Sequence, residues 1–88
     1  MELVELTKKK FTNYKGMDIA RTEFLEMKRA LYNIITNINE YSFMVDYAKK
    51  IDDMKSAHLY EYKLKQQKEL LRDTIRLNKE YYTIKIEV

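Results

Sequence analysis

The sequence predicts a mainly α fold: a helical hairpin or three-helix unit over about residues 18–82, edged by a short strand pairing of residues near 2–14 with 83–88, with dimerisation as an option. Three observations predict it. Phe24, Met27, Leu31, Ile34, Ile38, Tyr41, Val45 and Ala48 recur at steps of three and four, which lines them up on one stripe of a helix. The chain holds one Gly and no Pro, so the turn residues of a β-rich fold are missing. The end, Thr83-Ile84-Lys85-Ile86-Glu87-Val88, alternates strictly, as a half-buried strand does.

Residues 1–16 read as an N-terminal arm or strand within a single small domain. Leu3, Val4 and Leu6 precede the basic run Lys8, Lys9, Lys10. Gly16 takes a positive φ without steric cost, so it marks the boundary between the arm and the helical body of 17–82. Asp18 is the expected N-cap of the first helix, since its carboxylate can accept an orphan amide of the first turn.

That helix runs through the stripe with Glu26, Arg29, Asn33, Thr36 and Glu40 on its far face. After Tyr41 a second row appears: Phe43, Tyr47, Ile51 and Met54. Residues 41–51 are thus apolar most of the way round, so this segment is either sandwiched between two neighbours or serves a partner. Two places can hold a turn. Asn37 to Ser42 contains poor helix formers, and Asp52 to Ser56 ends the first stripe, with Ser56 as a candidate cap. An unbroken helix from 18 to 82 would span about 97 Å and would need a coiled-coil partner throughout.

The last helix, 57–82, puts Tyr60, Leu64, Leu71, Ile75 and Tyr82 on one face, flanked by Leu70 and Leu77. Glu61–Lys65, Lys65–Glu69 and Arg76–Glu80 are spaced for ion pairs along it. The C-terminal strand needs a mate. Residues 2–6, residues 8–14 and the same strand of another copy are the three candidates.

Composition narrows the function. Eighty-eight residues bury a thin core. There is no Cys, hence no disulfide, thiolate or Cys–zinc chemistry. The N-terminus carries its charges after its apolar residues, opposite to a secretory signal, and no apolar run reaches the length of a membrane span. A soluble cytoplasmic protein without membrane contact is the expectation. The many Lys, Ile, Asn and Tyr fit an AT-rich coding bias and point to a low-GC bacterium, its phage or a virus.

No catalytic constellation stands out. His58 is the only His and lacks a metal-binding partner at the right spacing. No nucleophile–base pair and no Gly-rich phosphate loop is present. Asp46, Glu40 and Glu61 are read as solvated helix charges. The expectation is a protein that is not an enzyme and needs no metal or cofactor.

Eight Tyr and three Phe are many for this length, and Tyr favours interfaces. The sequence therefore points to a protein–protein interaction module, an inhibitor or adaptor of phage or mobile-element origin. Phe43, Tyr47, Ile51 and Met54 are its first candidate contact residues, Tyr60 and Tyr62 its second. The alternative is a nucleic-acid accessory protein using Lys8, Lys9, Lys10, Lys15, Lys49, Lys50, Lys63 and Lys65, because Lys beside Tyr or Phe suits phosphates and stacked bases. A further alternative is a self-assembling subunit whose C-terminal strand pairs across a symmetry axis.

Overall fold

Two long helices lie antiparallel, and the two ends of the chain meet beside them as a pair of strands. The structure, a computed structural model describing residues 1–88, orders the elements as β1 (Glu2–Lys8), α1 (Arg21–Lys50), α2 (Met54–Asn78) and β2 (Tyr82–Glu87). The molecule measures 52 × 21 × 18 Å, with a radius of gyration of 15.9 Å. A ball of this length would have about 12 Å. The elongation follows from stacking the whole chain along one helix.

α1 stays unbroken through Asn37–Ser42. The amides there bond to other elements instead of competing for their own backbone. Asn37 Nδ2 donates to Gln67 Oε1 of α2 at 3.3 Å, and Asn39 Nδ2 donates to the Met1 carbonyl at 2.9 Å. Ile35 and Val45, buried on either side of the segment, and Ile38 within it hold it helical.

The one break falls at Asp52–Asp53, inside the second predicted turn. It closes α1 with a Schellman motif: Asp53 N–H donates to the Ala48 carbonyl at 2.8 Å, and Asp52 N–H to the Lys49 carbonyl at 3.1 Å. Asp52 sits in the left-handed region at φ 59°, where Gly is usual. The cap of α2 is Asp53, whose Oδ1 accepts from Ser56 N–H at 3.1 Å. Ser56, the expected cap, is therefore the residue whose amide is capped.

Asp18 does not cap α1 either. It bridges to Thr12 across a small loop. There Asn13 Oδ1 accepts from the amides of Lys15 and Met17, and Gly16 takes φ 76°. Ile19 N–H donates to the Phe11 carbonyl at 2.9 Å, and the Ile19 side chain is buried. The helix begins three residues after Asp18, behind an extended Ala20 with no side-chain cap. The loop's own pairing has claimed the acidic residue.

β2 selects residues 2–8 as its mate, antiparallel within the same chain. Leu3 pairs with Ile86 and Leu6 with Ile84, with a register shift between Leu3 and Glu5. That bulge matters. Leu3 and Leu6 are an odd number of residues apart and would face opposite sides of a regular strand. Extruding Val4, which is exposed, turns both leucines to the core. Glu5 and Lys85 pair at 3.2 Å on the other face.

The core is a cluster of Leu3, Leu31, Ile34, Ile35, Ile38 and Leu71, with Met27, Leu64, Ile75, Ile84 and Ile86 packed against it. Toward the turn the buried residues become small, Ala48 and Ala57 with Val45, as suits helices converging on a short connection. Tyr82 is buried as well. Its ring lies 6.2 Å from that of Phe24 and its hydroxyl has no partner. Burial, with the Glu23 carboxylate nearby, raises the pKa of that hydroxyl above its ordinary value. The predicted i,i+4 ion pairs of α2 do not form. Lys49–Glu61 at 3.0 Å links the two helices, and Asp73–Arg76 at 3.5 Å lies along α2. No helix is long and apolar enough to cross a membrane.

Two predictions concern the turn. Asp52→Gly relieves the left-handed backbone and should raise Tm by about 2–5 °C in thermal melts followed by circular dichroism, whereas Asp52→Ala lowers it. The Ser56 side-chain and backbone hydrogen bonds hold the Asp53 carboxyl below its ordinary 3.8. A folded-state pKa below the unfolded one means the cap's ionic contribution is present above pH 3.8 and is lost as pH falls through the lowered value. Asp53→Asn keeps an acceptor and should flatten that acid-side slope in Tm-against-pH curves.

Candidate interaction surface

The same helix that supplies the core presents a second apolar row to solvent. Residues of α1 that face α2 and the sheet leave Leu25, Tyr32, Phe43 and Tyr47 on the opposite side, all exposed. Steps of seven, eleven and four, each close to a whole number of helical turns, place them on one outer row. Phe43 and Tyr47, one turn apart, are stacked with centroids 6.4 Å apart and planes 9° apart. Phe43 is 68% exposed and Tyr47 50%. A hollow beside Phe43 is lined by Asn39, Glu40 and Met44. Ile51 continues the row four residues on, at the turn, and Met54 opens α2; both are exposed.

The segment 41–51 thus divides cleanly. Val45 and Ala48 are buried, Tyr41 and Met44 are partly buried, and Phe43, Tyr47 and Ile51 are left to solvent. Tyr60 is not part of that patch. It is half-buried, 6.1 Å from the Tyr41 ring, and Lys63 Nζ lies over both rings at 5.7 and 5.8 Å. Tyr62 is exposed on α2, where its hydroxyl accepts from Gln66 Nε2 at 3.0 Å.

The candidate phosphate-binding lysines fall into two groups rather than one surface. Lys8, Lys9, Lys10 and Lys15 belong to β1 and the loop after it, whereas Lys49, Lys50, Lys63 and Lys65 belong to the turn half of the hairpin. Most are engaged. Lys8 Nζ donates to the Ile19 carbonyl and Lys9 Nζ to the Lys79 carbonyl. Lys10 lies over Tyr81, Lys15 over Tyr14, and Lys49 pairs with Glu61.

The potential acid–base residues are spread over the surface. His58, Glu40 and Asp46 are exposed, and Glu61 is held by Lys49. No three His, Cys, Asp or Glu side chains converge as metal ligands would.

Sequence reasoning missed one feature. Leu70 and Leu77, expected beside the core face of α2, are exposed, and with Leu59 and Tyr62 they form an outer row on that helix. Their spacing from Leu59 was the available signal; it was obscured because Leu70 also neighbours the buried Leu71. Tyr82, expected on the core face of a last helix over 57–82, is core but opens β2, because α2 runs Met54–Asn78.

No family model, curated protein or solved structure matches this chain.

The exposure of Phe43 and Tyr47 predicts that the outer row adds little to folding, and that is measurable. Phe43→Ala and Tyr47→Ala should each shift stability by less than about 0.5 kcal/mol in urea unfolding. Tyr41→Ala, which removes a ring packed against both Tyr60 and Lys63, should cost about 1–3 kcal/mol.

Proposed function

We propose that this protein is a small non-enzymatic interaction module that binds and occupies a surface of a larger macromolecular complex, as an inhibitor or adaptor encoded by a phage or mobile element and acting in the cytoplasm. The stacked, solvent-facing Phe43 and Tyr47 carry this reading. A single exposed apolar side chain is ordinary on any protein surface. Two aromatics stacked on a rigid helix, continued by Ile51 and Met54, are a different matter. They offer large apolar area at little further entropy cost, as interface anchors do. Tyr62 on α2 supplies a second exposed aromatic.

The nucleic-acid reading draws less support. Six of its eight lysines (Lys8, Lys9, Lys10, Lys15, Lys49 and Lys63) already lie against carbonyls, rings or a carboxylate of this chain. Those contacts hold the ammonium groups on the chain's own atoms, and a phosphate would compete with them.

Affinity capture from the native host tests the proposal. The full chain should retain a discrete partner, the Phe43→Ala/Tyr47→Ala double variant should lose it, and a Leu59→Ala/Leu77→Ala variant on the other helix should keep it. If the Phe43/Tyr47 double variant captures as well as the native chain, the outer face of α1 is not the binding site.

A further inference from the structure

We propose that the outer face of α1 pairs antiparallel with the same face of a second copy of this chain, so that the anchors Phe43 and Tyr47 are covered by self-association until a partner displaces it. This rests on the reading of that face as an interaction surface, and it names one occupant.

The argument comes from how charge is laid out along the helix. On the N-terminal half of the outer face, Lys28 and Arg29 flank Tyr32. On the C-terminal half, Glu40 and Asp46 flank Phe43 and Tyr47, and the exposed Lys50 follows in the last turn. Arg29, Glu40 and Asp46 are exposed and join none of the three ion pairs of the chain. With Lys28 and Arg29 on one side of the midpoint and Glu40 and Asp46 on the other, a parallel copy brings like charges together and an antiparallel one opposite charges, while Lys50 falls opposite the partner's Leu25.

One register satisfies the apolar and the charged residues together. A two-fold axis between Asn37 and Ile38 sets Tyr32 against the partner's Phe43, Arg29 against the partner's Asp46, and Lys28 against the partner's Tyr47. Because the contact is isologous, each of these occurs twice. Thr36 and Asn39 then face each other nearest the axis. Thr36 is small, and the Asn39 amide is held toward the Met1 carbonyl of its own chain, which lets the two helices approach to about 8–10 Å. Lys28 Nζ already lies 6.0 Å from the Tyr32 ring. In the pair it sits between that ring and the partner's Tyr47, a cation between two aromatic faces. Ile51 and Met54 fall at the outermost ends of the contact, opposite the partner's Phe24 and Arg21, where an incoming partner can take hold before the rest of the face is released.

Charge exchange between copies tests this directly. Sedimentation equilibrium of the full chain should show a monomer–dimer equilibrium. Arg29→Asp and Asp46→Arg, each alone, should weaken the dimer about tenfold or more, since each places like charges together twice. An equimolar mixture of the two variants should recover the dimer, because the mixed pair has one native and one reversed ion pair. Recovery on mixing cannot arise from a change in folding. Thr36→Arg, which brings two cations to the axis, should split the dimer independently. A native chain that stays monomeric up to millimolar concentration overturns the pairing, as does a mixture that remains as weak as its components. The two readings stay distinguishable. A monomeric chain that still captures its partner through Phe43 and Tyr47 removes only the self-pairing, and an intact dimer that captures nothing removes only the partner.

Discussion

Everything in this fold lands on one seam of α1. Leu31, Ile34, Ile35 and Ile38 form the row to which both other layers attach: α2 through Leu64, Leu71 and Ile75, and the sheet through Leu3, Leu6, Ile84 and Ile86. Neither layer has an alternative. Two strands alone are marginal in water, and α2 has only two buried residues of its own, Ala57 and Leu71. Burial on the seam, worth about 25 cal/mol per Å² of apolar surface removed from water, is what holds them. The bulge at Val4 shows how far local geometry bends to this demand. A regular β1 would bring one leucine to the seam; the irregular one brings two.

How legible this was depended on whether a feature belonged to one element or to several. The helical stripe, the terminal strand and the positive φ of Gly16 are properties of a residue and its near neighbours, and the structure has them. The choice of β1 as the mate of β2 was one of three open options, because alternation says that a strand needs a partner and not which one. Capping failed for a different reason. Asp18 and Ser56 have suitable side chains, but the backbone of Asp18 is held in the bridge to Thr12 and α1 starts only at Arg21, while Asp53, three residues before Ser56, takes the cap of α2. A polar side chain has several acceptable partners, and only the assembled chain decides among them.

The same distinction holds for the surface. Phe43 and Tyr47 stand out in the sequence because they lie off the core stripe, and in the structure they stack on the outer side of the helix. Tyr60 has the same composition-level signal but is drawn under Lys63 against Tyr41, a contact between helices that spacing along one of them cannot reveal. Leu70 and Leu77 went the other way, toward water, because one thin seam has no room for a second apolar row on α2.

The clasp of β1 with β2 joins residues as distant in the chain as Glu2 and Glu87. The α1–α2 turn, by contrast, closes over a few residues. Closing a short loop costs far less chain entropy than closing one that spans nearly the whole domain, so the hairpin forms first and the clasp last. During synthesis β1 emerges early and stays without a mate until β2 has followed the entire hairpin off the ribosome. For that interval an unpaired strand edge is exposed to other nascent chains, and the Lys8, Lys9, Lys10 run places three cations at its end, where like charge disfavours edge-to-edge pairing.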